Sequence, residues 1–183
     1  MDLGLEGKVA LVCAASRGIG RAVARSLSAE GALVAICGRD AGSIEAAARE
    51  IEAETGNPVL AVQADLAIAA DVDRFYETAR ARFGAVDILV NNAGGPPAGG
   101  LDAVNEAQWR EGIELGLLTI IRLTKHVLPG MKSRQWGRVI TIASTTVHQP
   151  KEDLLISSTV RAPAIPFPIT TSFCFDIYLT PGL

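Results

Sequence analysis

The sequence predicts an α/β fold, a doubly wound parallel sheet with helices on both of its faces. Two patterns carry this prediction. Short apolar runs, typical of strands buried on both faces, alternate with longer segments whose apolar residues recur at helical spacing. The first strand passes directly into a turn that contains two glycines, at residues 16–20, and a helix follows. Repeated alternation of this kind predicts right-handed crossovers and therefore a parallel sheet.

The composition indicates one globular domain inside the cell. Of the 183 residues, 49% are apolar, which is enough for a substantial core. The net charge of -3, without a long basic run, disfavours nucleic-acid binding. Cys13, Cys37 and Cys174 are too far apart for a zinc or disulfide pattern, so reduced cysteines and no metal are expected. No apolar stretch reaches the roughly 20 residues that span a bilayer, so we expect a cytoplasmic protein without a membrane partner.

Four strands and three helices are predicted in the first half of the chain. The strands are the apolar runs at residues 8–15, 32–37, 59–65 and 86–94. The first helix ends near Gly31, which suits a helix C-cap, and the second begins at about Asp40. Apolar residues mark the buried faces of the second and third helices: Ile44, Ala47, Ala48 and Ile51, then Val72, Phe75, Tyr76, Ala79 and Phe83.

The second half of the chain continues this alternation and then departs from it. Residues 94–100, which are mostly glycine and proline, predict a loop. A long helix is predicted over about residues 108–134, with Pro129 near its end, and a fifth strand over residues 138–145. After Ala162 prolines become frequent and charged residues nearly vanish, so residues 163–183 are interpreted as a divergent tail.

Gly18 and Gly20, in the turn after the first strand, are candidates for binding a phosphate group. Without a Cβ, such a turn lets a pyrophosphate approach backbone N–H groups and the positive end of the helix dipole. A glycine pair alone is a weak signal, because close packing of a helix on a strand requires the same residues. A purely structural turn is therefore the alternative to a nucleotide site.

The segment CAASRGIG, at residues 13–20, resembles the Thr-Gly-x-x-x-Gly-x-Gly signature of the short-chain dehydrogenase/reductase family. NNAG, at residues 91–94, resembles the second signature of that family, at the end of the fourth strand. The resemblance covers residues 1–162 and implies a Rossmann-like fold that binds a nicotinamide cofactor. Cys13 and Ala14 stand in the places of the family's Thr and first Gly, so we expect a slightly shifted turn and weaker binding.

The residues after the second strand favour NADP(H) over NAD(H). An acid at the end of that strand would accept the adenosine ribose hydroxyl, whereas arginines would bind a 2′-phosphate. The strand ends in Gly38 and Arg39, and Asp40 beyond them equally suits the N-cap of the next helix. Together with Arg17, Arg39 indicates NADP(H), and two solvated surface arginines are the alternative.

The family resemblance also assigns the rest of the cofactor site. It implies that Asp65 and Leu66 lie at the adenine and that residues 92–94 lie along the ribose and nicotinamide. Taken alone, Asp65 would be an ordinary strand end. The predicted cofactor-binding residues are therefore Ala14, Ser16, Arg17, Gly18, Ile19, Gly20, Arg39, Asp65, Leu66, Asn92, Ala93 and Gly94.

The same resemblance implies a catalytic Asn, Ser, Tyr and Lys. Ser144, at the end of the fifth strand, fits the Ser, which binds the substrate's carbonyl oxygen. The family's spacing places Ser157 where Tyr transfers a proton, Arg161 where Lys lowers the pKa of that Tyr, and Gly116 where Asn is expected. A serine hydroxyl is a poor proton donor near neutrality, and a guanidinium stays protonated, although it can bind ribose hydroxyls. Ser144, Ser157 and Arg161 are the predicted catalytic residues.

Two features qualify this catalytic assignment. The segment LLISSTVRA, at residues 154–162, resembles an atypical, oxoacyl-carrier-protein reductase-like branch in which Tyr-x-x-x-Lys is replaced in a similar way. The substitutions are therefore compatible with an altered rather than a damaged site. His148, Lys151 and Glu152 are weak candidates for a substitute proton donor, because a loop histidine is more often simply exposed.

The end of the chain departs from the family pattern. The resemblance implies a longer helix after Arg161, a sixth strand, a covering helix and a seventh strand, but only the final IYLTPGL resembles such a strand. We expect residues 1–162 to form an incomplete NADP-binding domain that lacks the family's last strands. Truncation or a changed reading frame is the hypothesis for residues 163–183, and a natural extension is the alternative. A homo-oligomer is left open for a full-length form.

Three functional hypotheses follow from these motifs. The leading one is an NADP(H)-dependent oxidoreductase of the short-chain type that acts on a small-molecule carbonyl or alcohol substrate. The second is a nucleotide-binding module without hydride transfer, and the third is a truncated fragment without function. Substitution at three of the four catalytic positions keeps the second and third hypotheses open.

Overall fold

The computed structural model describes residues 3–164 and 175–179, in which strands and helices alternate. The strands are β1 (Val9–Val12), β2 (Leu33–Gly38), β3 (Val59–Gln63), β4 (Ile88–Asn91), β5 (Arg138–Ser144) and β6 (Phe175–Leu179). The helices are α1 (Gly18–Ala29), α2 (Ala41–Thr55), α3 (Ala69–Phe83), α4 (Glu106–Ile113), α5 (Thr119–Ser133) and α6 (Leu155–Arg161). A π-helical turn, Glu114–Leu118, joins α4 to α5, and 3₁₀ turns precede and follow α6 at Thr145–Val147 and Ala162–Ala164.

The described strands form one parallel sheet in the order β3-β2-β1-β4-β5-β6. The chain starts in the middle of the sheet, runs outward to β3 and then returns to β4 on the other side of β1. The strand order therefore reverses between β1 and β4. Proteins of this architecture bind ligands beyond the carboxyl ends of the strands at such a reversal. The predicted doubly wound parallel sheet is confirmed.

The sixth strand extends the sheet beyond the five strands that the sequence predicts. β6 pairs in parallel with β5, from Phe175 opposite Ile140 to Leu179 opposite Ser144. The sequence places these residues in a divergent tail, because prolines are frequent and charged residues scarce after Ala162, although the ending IYLTPGL resembles a family strand. The free edge of β5, however, offers main-chain donors and acceptors to an extended segment whatever its side chains are. Residues 165–174 and 180–183 of the predicted tail lie outside the described part of the chain.

The inner strands contribute side chains alternately to two apolar cores, one on each face of the sheet. On one face, Leu11 packs in a cluster with Phe75 of α3 and Leu123 of α5. On the other face, Ile36 packs in a cluster with Ile44 of α2. Because helices cover both faces, nearly every strand residue is apolar, which is the pattern from which the strands are predicted.

The helix predicted over residues 108–134 is helical throughout but not uniformly α-helical. In the π turn, the N–H of Thr119 donates to the carbonyl of Glu114, five residues earlier rather than the four of an α-helix. The hydroxyl of Thr119 also donates to this carbonyl, at 2.9 Å. The spacing of apolar residues gives no information about these bonds from Thr119 to the backbone. The sequence therefore predicts a single α-helix here.

Candidate functional site

A cleft of about 500 Å³ opens at the carboxyl ends of β1, β2, β3 and β4. Its walls are the segments that follow these strands, together with residues 94–97 and one face of α4 and the π turn. The cleft therefore lies where the strand order reverses, as this architecture predicts. Ten of the twelve residues predicted to bind a cofactor line it: Ala14, Ser16, Arg17, Ile19, Arg39, Asp65, Leu66, Asn92, Ala93 and Gly94.

The other two predicted cofactor residues, Gly18 and Gly20, have structural reasons to be glycine. Gly18 has a φ of 60°, which glycine adopts without strain. A Cβ on Gly20 would lie 2.5 Å from the carbonyl oxygen of Ala14 and 2.8 Å from Nδ2 of Asn92. The contact between α1 and the turn after β1 thus requires glycine at position 20. A phosphate-binding role for either residue stays a prediction.

The turn after β1 is held by Asn92 and is strained at Ala14. The Asn92 Nδ2 donates to the carbonyl oxygens of Cys13 and Ala14, at 3.1 and 3.2 Å. Ala14 has a φ of 48°, in the left-handed region, where a residue with a Cβ is disfavoured by about 1 kcal/mol or more. The alanine therefore keeps the backbone conformation that glycine adopts freely, at the position where the family pattern has its first glycine.

Ala14→Gly is expected to raise the free energy of unfolding by about 0.5–1 kcal/mol, because the relieved strain exceeds the entropy that glycine adds to the unfolded chain. For a chain of this length the gain corresponds to a rise in Tm of about 1–4 °C, which calorimetry can measure. Ala15→Gly is the matched control, because Ala15 is buried and has no positive φ, and it should lower the Tm. If the Tm of Ala14→Gly is at or below that of the unchanged chain, the backbone at Ala14 is not strained.

The cleft carries two guanidinium groups, those of Arg17 and Arg39. Both side chains are exposed, and among the described residues neither guanidinium forms a salt bridge or hydrogen bond. Asp40, which also follows β2, instead caps the N-terminus of α2. Bonds from the hydroxyl and the N–H of Ser43 lower the pKa of Asp40 and hold its carboxylate there. Of the two roles that the sequence leaves open for Asp40, the structure shows the N-cap.

The segment after β3 is held in place from two helices. The N–H of Asp65 donates to Oδ2 of Asp71 in α3, at 2.8 Å. Hydrogen bonds from Arg74 and from this N–H lower the pKa of Asp71, which favours its charged form. The carbonyl of Leu66 accepts a hydrogen bond from the buried hydroxyl of Thr119, at the start of α5. Both residues that the resemblance places at the adenine are therefore anchored through their backbones.

A second, small cavity of about 20 Å³ lies beside the carboxyl ends of β4 and β5. Its walls include Asn91 and Thr141 on these strands, Gly116 in the π turn and Arg161 in α6. Arg161 is half-buried, and its guanidinium donates to the carbonyl of Gly94 at 3.4 Å. Burial lowers the pKa of this guanidinium, which nevertheless stays protonated near neutral pH. No carboxylate in the described part of the chain pairs with it.

The other two predicted catalytic residues, Ser144 and Ser157, line neither this cavity nor the cleft. The Ser144 oxygen accepts from the N–H of Thr146 at 3.3 Å and lies 3.0 Å from the Thr146 hydroxyl, so it caps the 3₁₀ turn. Ser157 is buried in α6. The three weak candidates for a proton donor are exposed: His148, Lys151 and Glu152. The structure thus brings only Arg161 to the cavity, and the catalytic roles stay predictions.

Helix α6 packs closely against α4 and the π turn through two glycines that the sequence analysis does not connect. A Cβ on Gly112 would collide with Cγ2 of Ile156, and one on Gly116 would lie 2.6 Å from Cγ2 of Val160. The two glycines are four residues apart, and so are Ile156 and Val160. The glycines therefore form one side of the contact, and the two branched side chains form the other. Gly116, where the family pattern has Asn, is therefore part of a helix contact.

Several cleft residues are absent from the sequence-based set. Most belong to the loop after β4, to α4 and to the π turn, and the others lie at the ends of β2 and β3: Gly95, Pro96, Pro97, Glu111, Gly112 and Leu115, then Gly38, Ala64 and Ala67. The glycine and proline content of residues 94–100 is a signal for the loop, but nothing in the spacing of α4 marks the face that lines the cleft. Within residues 3–164 and 175–179 no cluster of His, Cys, Asp or Glu could hold a metal ion. No helix in that part of the chain could cross a membrane.

Fold and cleft define a parallel α/β protein of the Rossmann type, with its cleft at the reversal of strand order. The chain belongs to the short chain dehydrogenase family, whose family model matches residues 8–157. This confirms the resemblance seen in the two glycine-containing signatures.

Curated relatives match the same part of the chain. The 3-oxoacyl-[acyl-carrier-protein] reductase FabG of Escherichia coli is 39% identical over 142 residues, which are 78% of this chain and 57% of the relative. The D-beta-hydroxybutyrate dehydrogenase of Cupriavidus necator is 38% identical over 141 residues, 77% of this chain and 54% of the relative. The chain thus spans little more than half the length of these curated relatives.

Solved structures show the same architecture. The L-sorbose reductase of Gluconobacter frateurii, complexed with NADPH and L-sorbose, is similar with a TM-score of 0.84 and 35% identity, over 89% of this chain and 62% of that one. A metagenomic short-chain oxidoreductase in complex with NADP is similar with a TM-score of 0.79 and 33% identity, over 87% of this chain and 73% of that one.

Proposed function

We propose that this chain binds NADP(H) in the cleft and is the cofactor-binding part of an oxidoreductase that acts on a small carbonyl or alcohol substrate. The observation that carries this proposal is the pair of unpartnered guanidinium groups, Arg17 and Arg39, which line a cleft at the reversal of strand order. Two cations without carboxylate partners suit a ligand with an additional phosphate. The solved relatives that contain NADPH or NADP support the same cofactor.

The residues of the cleft fit the parts of such a cofactor. The backbone after β1 and the N-terminus of α1 suit the pyrophosphate, and Arg17 and Arg39 suit the 2′-phosphate. The segment at Asp65 and Leu66 would hold the adenine, and residues 92–94 the ribose and nicotinamide. NADPH would supply the hydride for reduction of a carbonyl group. Residues 1–162 remain our proposal for the extent of the cofactor-binding domain.

The chain's own residues suggest a slow proton transfer. Arg161 would hold the nicotinamide ribose by its guanidinium, which faces the cavity beside β4. Ser144 would bind the substrate oxygen by a hydrogen bond from its hydroxyl, because its contacts with Thr146 use only its oxygen, as an acceptor. Ser157 would replace the tyrosine of the family pattern, and its hydroxyl ionises too weakly to exchange protons efficiently near neutral pH. Turnover is therefore expected to be lower than in a relative with tyrosine.

A titration with NADPH tests the proposal. Trp109 lies in α4, one face of which lines the cleft, so tryptophan emission should fall as NADPH binds, and NADH should bind more weakly because it lacks the 2′-phosphate. Consumption of NADPH with a panel of small ketones and oxo acids then tests hydride transfer. Absence of measurable affinity for either nucleotide in folded material would overturn the cofactor and the activity together.

The second candidate function is a nucleotide-binding module that transfers no hydride. It is favoured by the serine at position 157 and by the helix contact that occupies position 116, since both sites carry catalytic side chains in the family pattern. NADPH binding without consumption of any carbonyl substrate would support this candidate. Consumption of NADPH that depends on Ser144 would exclude it.

A further inference from the structure

Thr119 connects two parts of the molecule that lie far apart in sequence. It is the first residue of α5 and is buried, and its hydroxyl donates to the carbonyl of Leu66, 53 residues earlier. The same hydroxyl contacts the carbonyl of Glu114 at 2.9 Å. A threonine hydroxyl has a single proton, so these two carbonyls share one donor. Thr119 thus ties the segment after β3 to the π turn.

The π turn brings the hydroxyl of Thr119 to this position. At the end of the turn the N–H of Thr119 reaches back to Glu114 rather than to Leu115, which widens the helix beside Leu66. The start of α5 therefore faces the cleft segment with a polar group instead of an apolar one. An apolar residue of the same shape would fill the space but would leave the Leu66 carbonyl without this donor.

Apart from the bond from the N–H of Ala64 to the carbonyl of Gly38 at the end of β2, the other bonds of the cleft segment are made nearby in the sequence. The N–H of Ala67 donates to Oδ1 of Asp65 at 3.0 Å, and the N–H of Asp65 donates to Asp71 at 2.8 Å. These bonds shape the segment but connect it only to itself and to the start of α3. The Thr119 bond connects it to α5, which is distant in sequence. It therefore limits how far Leu66 can move relative to the rest of the cleft.

We propose that Thr119 is a positioning residue for the adenosine end of the cleft, acting through the Leu66 carbonyl. The proposal rests on the proposed function, because it assigns the adenosine half of the cofactor to the segment at Asp65 and Leu66. Thr119 lines the small cavity beside β4 and β5 but not the cleft, so its contribution to binding of the adenosine end is indirect. Without the Thr119 hydroxyl, Leu66 is free to shift. Binding of the adenosine end then has to order the segment at Asp65 and Leu66, which lowers the affinity.

The test compares Thr119→Val, which keeps the shape and removes the hydroxyl, with Thr119→Ser, which keeps the hydroxyl. Isothermal titration measures the affinity for adenosine 2′,5′-bisphosphate and for NADPH. Thr119→Val should weaken both by about tenfold, the factor that corresponds to one lost hydrogen bond of about 1.4 kcal/mol. Thr119→Ser should bind nearly as tightly as the unchanged chain. Thr124→Val is the matched control, because Thr124 is also buried in α5 but lies five residues further on.

Thermal unfolding of the same variants separates positioning from stability. If Thr119→Val and Thr124→Val lower the Tm alike and only Thr119→Val weakens binding, the inference holds. If Thr119→Val binds both probes as tightly as the unchanged chain, Thr119 is structural only and the inference fails while the proposed function stands. If Thr119→Val does not fold, Thr119→Cys, a weaker donor of similar size, replaces it, and an affinity equal to that of Thr119→Ser overturns the inference. If the unchanged chain binds neither probe, the proposed function itself fails.

Discussion

Removing the guanidinium groups of Arg17 and Arg39 together is expected to lower the affinity for NADPH by about a hundredfold. Hydrogen bonds to charged groups contribute about 1.5–3 kcal/mol each, and the exposure of both side chains places them at the lower end of that range. Two such contributions amount to about 3 kcal/mol, which corresponds to about two powers of ten in the dissociation constant. The affinity for NADH should hardly change, because NADH lacks the 2′-phosphate that these groups are proposed to bind.

Titrations of the Arg17→Ala, Arg39→Ala double variant with both nucleotides measure this selectivity. A second double variant, Arg49→Ala with Arg80→Ala, is the matched control, since it removes the same charge from exposed ion pairs outside the cleft. An equal loss for NADPH and NADH in the cleft variant would show that the arginines do not read the 2′-phosphate. An equal loss in both variants would assign the effect to overall charge.

Gly116→Asn, which restores the residue of the family pattern, is expected to destabilise the chain by about 2–3 kcal/mol. A Cβ at this position would lie 2.6 Å from Cγ2 and 3.5 Å from Cβ of Val160, and overpacking of this kind typically costs about 1–3 kcal/mol. For a chain of this length the expected fall in Tm is about 4–12 °C. The methyl group that the added Cβ meets belongs to a short, branched side chain that cannot swing away easily, which places the cost at the upper end.

A double-mutant cycle assigns this cost to the helix contact. In a Val160→Ala background the same asparagine should be tolerated better, because the methyl group that it meets has been removed. Gly42→Asn is the matched control, since a Cβ there meets only Oδ1 of Asp40, at 3.7 Å. If Gly116→Asn costs the same in the unchanged chain and in the Val160→Ala background, the clash is not the cause. If it costs nothing, α6 moves aside freely.

The packing at Gly116 bears on how the catalytic substitutions are interpreted. The family pattern has Asn at position 116, Tyr at 157 and Lys at 161, whereas this chain has Gly, Ser and Arg. Because Val160 of α6 fills the space that a side chain at 116 would need, the residues at 116 and 160 depend on each other. Restoring Tyr and Lys alone would therefore leave the site without its Asn. Any engineered recovery of the family's catalytic set has to include Val160.

Much of the cleft could be predicted from the sequence, because its residues directly follow strands. Once Ala14, Arg39 and Asn92 are seen to end apolar runs, the topology of a parallel sheet places them at one edge. The same reasoning finds Asp65 and Leu66 after β3. The glycine at position 20 is also predictable, although the structure shows that helix packing alone already requires it.

Spacing could not show how Ser144, Ser157 and Arg161 lie relative to one another. Counting from the family pattern names all three, but only Arg161 reaches the cavity, while Ser144 caps a 3₁₀ turn through Thr146. The orientation of a side chain at the end of a strand depends on the turn that follows, and the segment between β5 and α6 has no periodic pattern from which to derive that turn.

The sequence by itself determined the alternation of strands and helices, the parallel sheet, the family and most residues of the cleft, because burial on two faces and strand-end turns leave their mark in local spacing. Only the tertiary structure decided the π turn, the bond from Thr119 to Leu66 and the packing of Gly112 and Gly116 on α6. The last two features join residues that are distant in sequence. They depend on how closely two helices or a helix and a loop approach each other, and that distance cannot be derived from the sequence of either one.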